Sequence, residues 1–109
     1  MPIEKWSDRV SVVHLADDPQ FTDDLEAIEQ QSGEKGRGCV LDFATVHFVN
    51  SSNISRLLRL RKMMITHDRR MVVAAVSTQV WGTFLVTGLD KVFEFSDSVS
   101  TALATLQTA

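Results

Sequence analysis

The chain has 109 residues, 44 % hydrophobic and 23 % charged, with a net charge of −3 and one cysteine, Cys39. That length suits one domain with one core and hardly two, so residues 1–109 are read as a single domain. The acidic balance argues against general nucleic-acid affinity, the lone cysteine forbids an internal disulfide, and no apolar run approaches the ~18 residues a membrane span needs.

In chain order, "PIEKW" reads as a short edge strand turned at Ser7-Asp8. Glu4, Lys5 and Asp8 would interrupt any secretory leader, so a cytoplasmic location is expected, without direct membrane insertion. Residues 10–16, "VSVVHLA", are β-branched and apolar and predict a strand. Pro19 makes "DDPQ" a turn, because it biases Asp18 away from helix. Thr22 is then placed to cap a helix over 23–32, whose positive end suits Asp23, Asp24 and Glu26. "SGEKGRG" is expected to be a loop; it follows a helix and lacks Gly-Lys-Ser/Thr, so it is no phosphate-binding loop.

Residues 39–48 form the most continuous apolar stretch and predict a central strand buried on both faces, with Asp42 near its end or a turn. A helix is expected over 52–67, a strand over 71–76, a helix over 78–87 stopped by Gly88, a strand over 91–95 and a helix over 97–107. Strands alternating with helices predict an α/β fold: a mixed, mostly parallel sheet of four to five strands, with about four helices mainly on one face.

The junction "HFVNSSNISR", 47–56, places Asn50, Ser51, Ser52, Asn53 and Ser55 where a strand gives way to a helix. Read locally, Ser51 or Ser52 caps that helix. On its helical wheel Ile54, Leu57, Leu58, Met64 and Ile65 form the apolar stripe, with Arg56, Arg59, Lys62 and Met63 opposite. Arg61 falls inside the stripe and must snorkel or meet an acid. Charge is polarised along the chain, since residues 1–34 are rich in Asp and Glu while 56–70 carry six Lys and Arg against Asp68 alone. Intramolecular pairing, a solvated face and a charged docking surface all fit that pattern.

Three segments carry a family resemblance. "VLDFATVHFVNSSNIS" is similar to the segment that holds the regulatory serine in STAS domains. "RRMVVAAVSTQVWGTFLVTGLDKVFEF" resembles the strand, helix, Thr/Ser-Gly-Leu, strand segment that follows it, and "DSVSTALATL" resembles the closing helix. Together they cover roughly 39–107. The resemblance implies the fold of the anti-sigma factor antagonists and maps a regulatory phosphorylation site onto Ser52. It makes Asn50, Ser51, Ser52, Asn53, Arg56 and Arg59 the expected partner contacts. A phosphate there would meet the positive end of a helix, with Arg56 four residues on. Departures are plain: Asn50 stands where relatives have Asp, Asn53 and Arg59 where glycine is common, and Arg56 where many are apolar.

Nothing else suggests chemistry. His14, His47 and His67 have no metal-ligand spacing, no serine sits in a Gly-x-Ser-x-Gly elbow, and Cys39 opens an apolar strand and should be buried and inert. Trp6 and Trp81 fit surface anchors or partial core. No metal or cofactor is implied, and the chain is expected not to be an enzyme. The resemblance implies two alternatives. One is partner switching with an anti-sigma factor of serine protein kinase type, controlled at Ser52. The other is an accessory subunit that docks on the ATPase of a lipid-transporting ABC complex without phosphorylation. A small-ligand or nucleotide sensor rests on family analogy alone.

Overall fold

The computed structural model describes residues 3–7, 9–35 and 38–107. Five strands form one sheet in the order β1-β2-β3-β4-β5, namely Ile3–Lys5, Val10–Ala16, Gly38–Thr45, Met71–Ala74 and Glu94–Ser96. β1 is an antiparallel edge strand on β2, and the other three pairings are parallel. The helices are α1, Gln20–Lys35; α2, Ser51–Thr66; α3, Thr78–Val86; and α4, Val99–Gln107. β3 lies at the centre, as the most continuous apolar stretch of the sequence predicts.

Alternation along the strands sorts side chains to two cores. Cys39, Leu41 and Phe43 of β3 point to the face covered by α1, α2 and α3, which contribute Phe21, Leu25, Ile28, Leu57, Leu60, Met64, Val80 and Phe84. Phe43 is the hub of this side, meeting Phe21 edge-on at 5.7 Å and Phe84 at 6.2 Å between ring centroids. Val40, pointing the other way, joins Val10, Val12, Val72 and Ala74 beneath Ala102 and Leu103 of α4. Three helices therefore share one face, and α4 alone covers the second.

α4 leaves one end of its face open, and there three strands are tied by charge. His14 of β2 bonds Asp42 of β3 through Nδ1 at 2.7 Å and Glu4 of β1 through Nε2 at 3.0 Å. Only the imidazolium donates from both nitrogens, so the bonds to Glu4 and then Asp42 raise the His14 pKa above the usual histidine range.

Element boundaries differ from expectation in instructive ways. α1 begins three residues earlier than 23, and Thr22 does not cap it. Instead the Thr22 N–H and hydroxyl both donate to Asp18, at 2.9 and 2.8 Å. α1 also continues to Lys35 through residues expected to be loop, while Gly38 already belongs to β3 and residues 36 and 37 lie outside the described set. β3 stops at Thr45 and β4 at Ala74, short of 48 and 76, and Asp42 lies within β3 rather than at its end. Residues 89–91 form a 3₁₀ turn, moving the last strand to 94–96, and α4 starts at Val99. Gly88 does follow α3 in the left-handed conformation, at φ 75°. Ser7 makes the expected turn, its hydroxyl accepting from the N–H groups of Arg9 and Val10; Asp8 lies outside the described residues.

Candidate functional site

The "HFVNSSNISR" segment leaves the carboxyl end of the central strand and enters α2. Its cap is Asn50, not a serine. Asn50 has extended backbone, and its Oδ1 accepts from the Asn53 N–H at 2.8 Å while Asn53 Oδ1 accepts from the Asn50 N–H at 3.0 Å. This reciprocal box satisfies two of the donors a helix start leaves open. Ser51 and Ser52 thus become the first two helical residues, both exposed, with their hydroxyls unneeded for capping.

A second segment fixes the loop from outside. Asp17 accepts from the His47 N–H at 2.8 Å and pairs with His47 Nδ1 at 2.9 Å. Asp18 accepts from Asn53 Nδ2 at 2.8 Å. Both carboxyls are held below the ordinary aspartate range: Asp17 chiefly by the His47 N–H, Asp18 chiefly by Asn53, with a smaller contribution from the Asn50 side chain. These acids come from the "DDPQ" turn about 30 residues earlier. Only their shared position beside α2 gives them this role, and no local sequence signal marks it.

The six expected contact residues divide. Asn50, Ser51, Ser52 and Arg59 are exposed. Asn53 is 2 % exposed and fully engaged inside the junction, so it supports the site rather than presenting a contact. Arg56 is half-buried and already paired, its guanidinium 2.8 Å from Glu26 of α1. Part of the charge polarity is therefore intramolecular pairing. Ser52, Ser55, Arg56 and Arg59 together line an open hollow of about 230 Å³.

The buried stripe of α2 is Asn53, Leu57, Leu60 and Met64, rotated from the expected one. Leu58 and Ile65 are exposed, Ile54 is only partly buried, and Met63 packs partly against the core instead of facing away. Among the described residues Arg61 meets no acid; its Nε donates to the Val92 carbonyl at 2.9 Å, which lets the stem lie along the apolar side. The outer face of α2 thus mixes Arg59 and Lys62 with Leu58 and Ile65, a composition suited to a protein partner.

Cys39 is fully buried, and burial pushes its thiol up to about 12, which makes it unreactive. Among the described residues no group of His, Cys, Asp and Glu could hold a metal ion, and no helix is long and apolar enough to cross a membrane.

The family model for the STAS domain matches residues 15–102. No curated protein matches the sequence. Solved structures with this fold include a candidate anti-sigma factor antagonist from Thermotoga maritima, at TM-score 0.77 and 12 % identity over 97 % of this chain and 93 % of that one. An anti-sigma-factor antagonist (STAS) domain protein from Planctomyces limnophilus superposes at TM-score 0.73 and 19 % identity, covering 93 % of each chain. RsbS of Moorella thermoacetica, solved with one serine replaced by glutamate, superposes at TM-score 0.79 and 20 % identity over 99 % of this chain and 97 % of that one.

Proposed function

The chain belongs to the STAS domain family, and from that membership we propose that it is a non-catalytic, cytoplasmic partner-switching protein of the anti-sigma factor antagonist kind, regulated at Ser52. The observation that carries this reading is the exposed Ser52 hydroxyl at the second residue of α2, released from capping by Asn50 and sharing a hollow with Ser55, Arg56 and Arg59.

Unmodified, the protein docks an anti-sigma factor of serine kinase type through the α2 start and its basic, partly apolar outer face. Phosphate on Ser52 is stabilised within the free protein by the helix N-terminus and by Arg59 beside it. It also competes with Glu26 for Arg56. At a desolvated interface the same added charge repels the partner's acceptors and releases it. The catalytic groups for adding and removing phosphate belong to the partners. Asn50 stands where the resemblance expects aspartate, and a neutral cap there adds no second carboxylate beside Asp18, which already accepts from Asn53.

The test is affinity capture from the native cell with phosphoserine mapping, followed by calorimetry on the captured partner. Ser52→Asp is expected to weaken binding by about 1–3 kcal/mol and Ser52→Ala to leave it intact. Arg59→Glu is expected to weaken it most at low salt. Equal affinities for all three and wild type, with no phosphate on Ser52, would overturn the reading. Capture of a transporter ATPase instead would favour the accessory-subunit role.

A further inference from the structure

A separate pocket opens at the carboxyl ends of β4 and β5, the end of a parallel sheet where ligands commonly bind. Val76, Trp81, Phe95, Ser96 and Asp97 line about 300 Å³, at the small end of ligand cavities. Trp81 stands edge-on to Phe95, with centroids 4.9 Å apart, so two aromatic rings wall one side.

One further feature marks this place. At the rim Ala75 adopts φ 60°, a left-handed conformation that only glycine and a few polar residues enter readily, and its N–H donates to the Ser96 carbonyl at 3.2 Å. Such backbone strain concentrates at functional positions.

We propose that this pocket binds a small organic ammonium ion with a flat, apolar body. Among the described residues Asp97 is the one charged group of the lining, so the field favours a cation and opposes carboxylates and phosphates. Aromatic rings attract a cation through their quadrupoles and pack the body against their edges. Size and charge together argue against a nucleoside phosphate. The site uses β4, β5 and α3, apart from Ser52, so it stands or falls independently of the proposed switch.

The test is a two-dimensional amide NMR titration with phenethylammonium, using 3-phenylpropionate as a probe of similar body and opposite charge. The cation should shift the amides of residues 75–77 and 95–97 and the Trp81 indole N–H. It should bind at least about five-fold more tightly than the anion, the scale of one partly exposed ion pair. Asp97→Asn should erase most of that preference with the fold intact. Ser52→Asp should change nothing. Equal binding of the two probes, shifts mapping elsewhere, or an unaltered preference in Asp97→Asn would overturn the proposal.

Discussion

Two strand-to-helix junctions lie at the carboxyl end of the sheet and are built in opposite ways. Between β3 and α2, every polar group with a described role is met: Asn50 and Asn53 cap each other, Asp17 clasps His47, and Asp18 holds Asn53. Between β4 and α3, residues 75–77 turn tightly through a left-handed alanine to a single cap, Ser77 accepting from the Val80 N–H at 3.2 Å. On the neighbouring strand the Ser96 hydroxyl is buried and finds no hydrogen-bond partner among the described residues. The first junction is satisfied by a distant segment and presents its serines outward on a fixed base. The second keeps its strained turn next to open space. A regulated surface serine needs the first kind of support; a cavity that takes a ligand tolerates the second.

The sharpest way to break the contrast is Asn53→Ala. It removes half of the capping box and the donor to Asp18 at a position 2 % exposed. A loss of about 2 kcal/mol is expected in urea unfolding, from the cap and the abandoned carboxylate together. A loss below about 0.5 kcal/mol would show that the junction is not held by this network.

Asn50→Asp should cost about 1 kcal/mol at neutral pH. The cap itself survives, but a second carboxylate replaces a neutral side chain that helps to hold the Asp18 carboxyl below its ordinary range. The deficit should shrink as the pH falls and the new pair takes up a proton. If the serine switch operates, the same variant should be phosphorylated faster by the captured kinase despite its lower stability.

How much of this was legible in the sequence follows from range. Alternation and β-branching placed the strands and the central position of 39–48, because burial on both faces leaves a continuous apolar run. Ser52 at the helix start followed from the family register. Locally the cap falls to serine as readily as to asparagine, because Asn, Ser and Asp are nearly equivalent caps, and the contact that favours the Asn50–Asn53 box comes from Asp18, 35 residues from Asn53. The α2 stripe lies a fraction of a turn from the one the helical wheel predicts for a related reason: Asn53, polar in sequence, is buried, and Leu58 and Ile65, apolar in sequence, are exposed. No periodicity argument sees a buried asparagine whose partner comes from another loop.

Acid and base titrations separate the α2 junction from the Glu4–His14–Asp42 cluster on the other face. Asp18 has a folded pKa below its unfolded one, so its contribution is present above the unfolded value and is lost as pH falls through the folded value. His14 is the reverse: its raised folded pKa gives stability that is full below the ordinary histidine value and disappears as pH rises through the folded one. Wild type should therefore lose its advantage over His14→Gln on the alkaline side of the histidine range, and over Asp18→Asn on the acid side of the carboxylate range. Both effects are modest, because His14 and Glu4 are largely exposed and screened. Thermal melts across pH would show it, and parallel curves for His14→Gln and wild type would contradict the cluster.

At the second junction, Ala75→Gly should stabilise by about 0.5 kcal/mol. Relief of the left-handed alanine is worth roughly 1–2 kcal/mol, and the greater freedom of glycine in the unfolded chain takes back part of it. A destabilisation would mean that the turn is not strained and would weaken the case for a specialised pocket rim.

The smallest expected effects are the most telling for the first junction. Ser51→Ala and Ser52→Ala should each lie within about 0.5 kcal/mol of wild type in urea unfolding, because both side chains are exposed and Asn50 supplies the cap. A serine that capped the helix would instead cost about 1 kcal/mol on truncation. Stability alone therefore separates the two accounts of "NSSN" before any partner is known. If Ser52→Ala is neutral in folding but abolishes control of binding while Ser51→Ala does neither, the hydroxyl at 52 is present for modification. If Ser52→Ala weakens the fold as a lost cap would, the helix start uses that serine itself, and the outward platform that distinguishes this junction from the one after β4 does not exist.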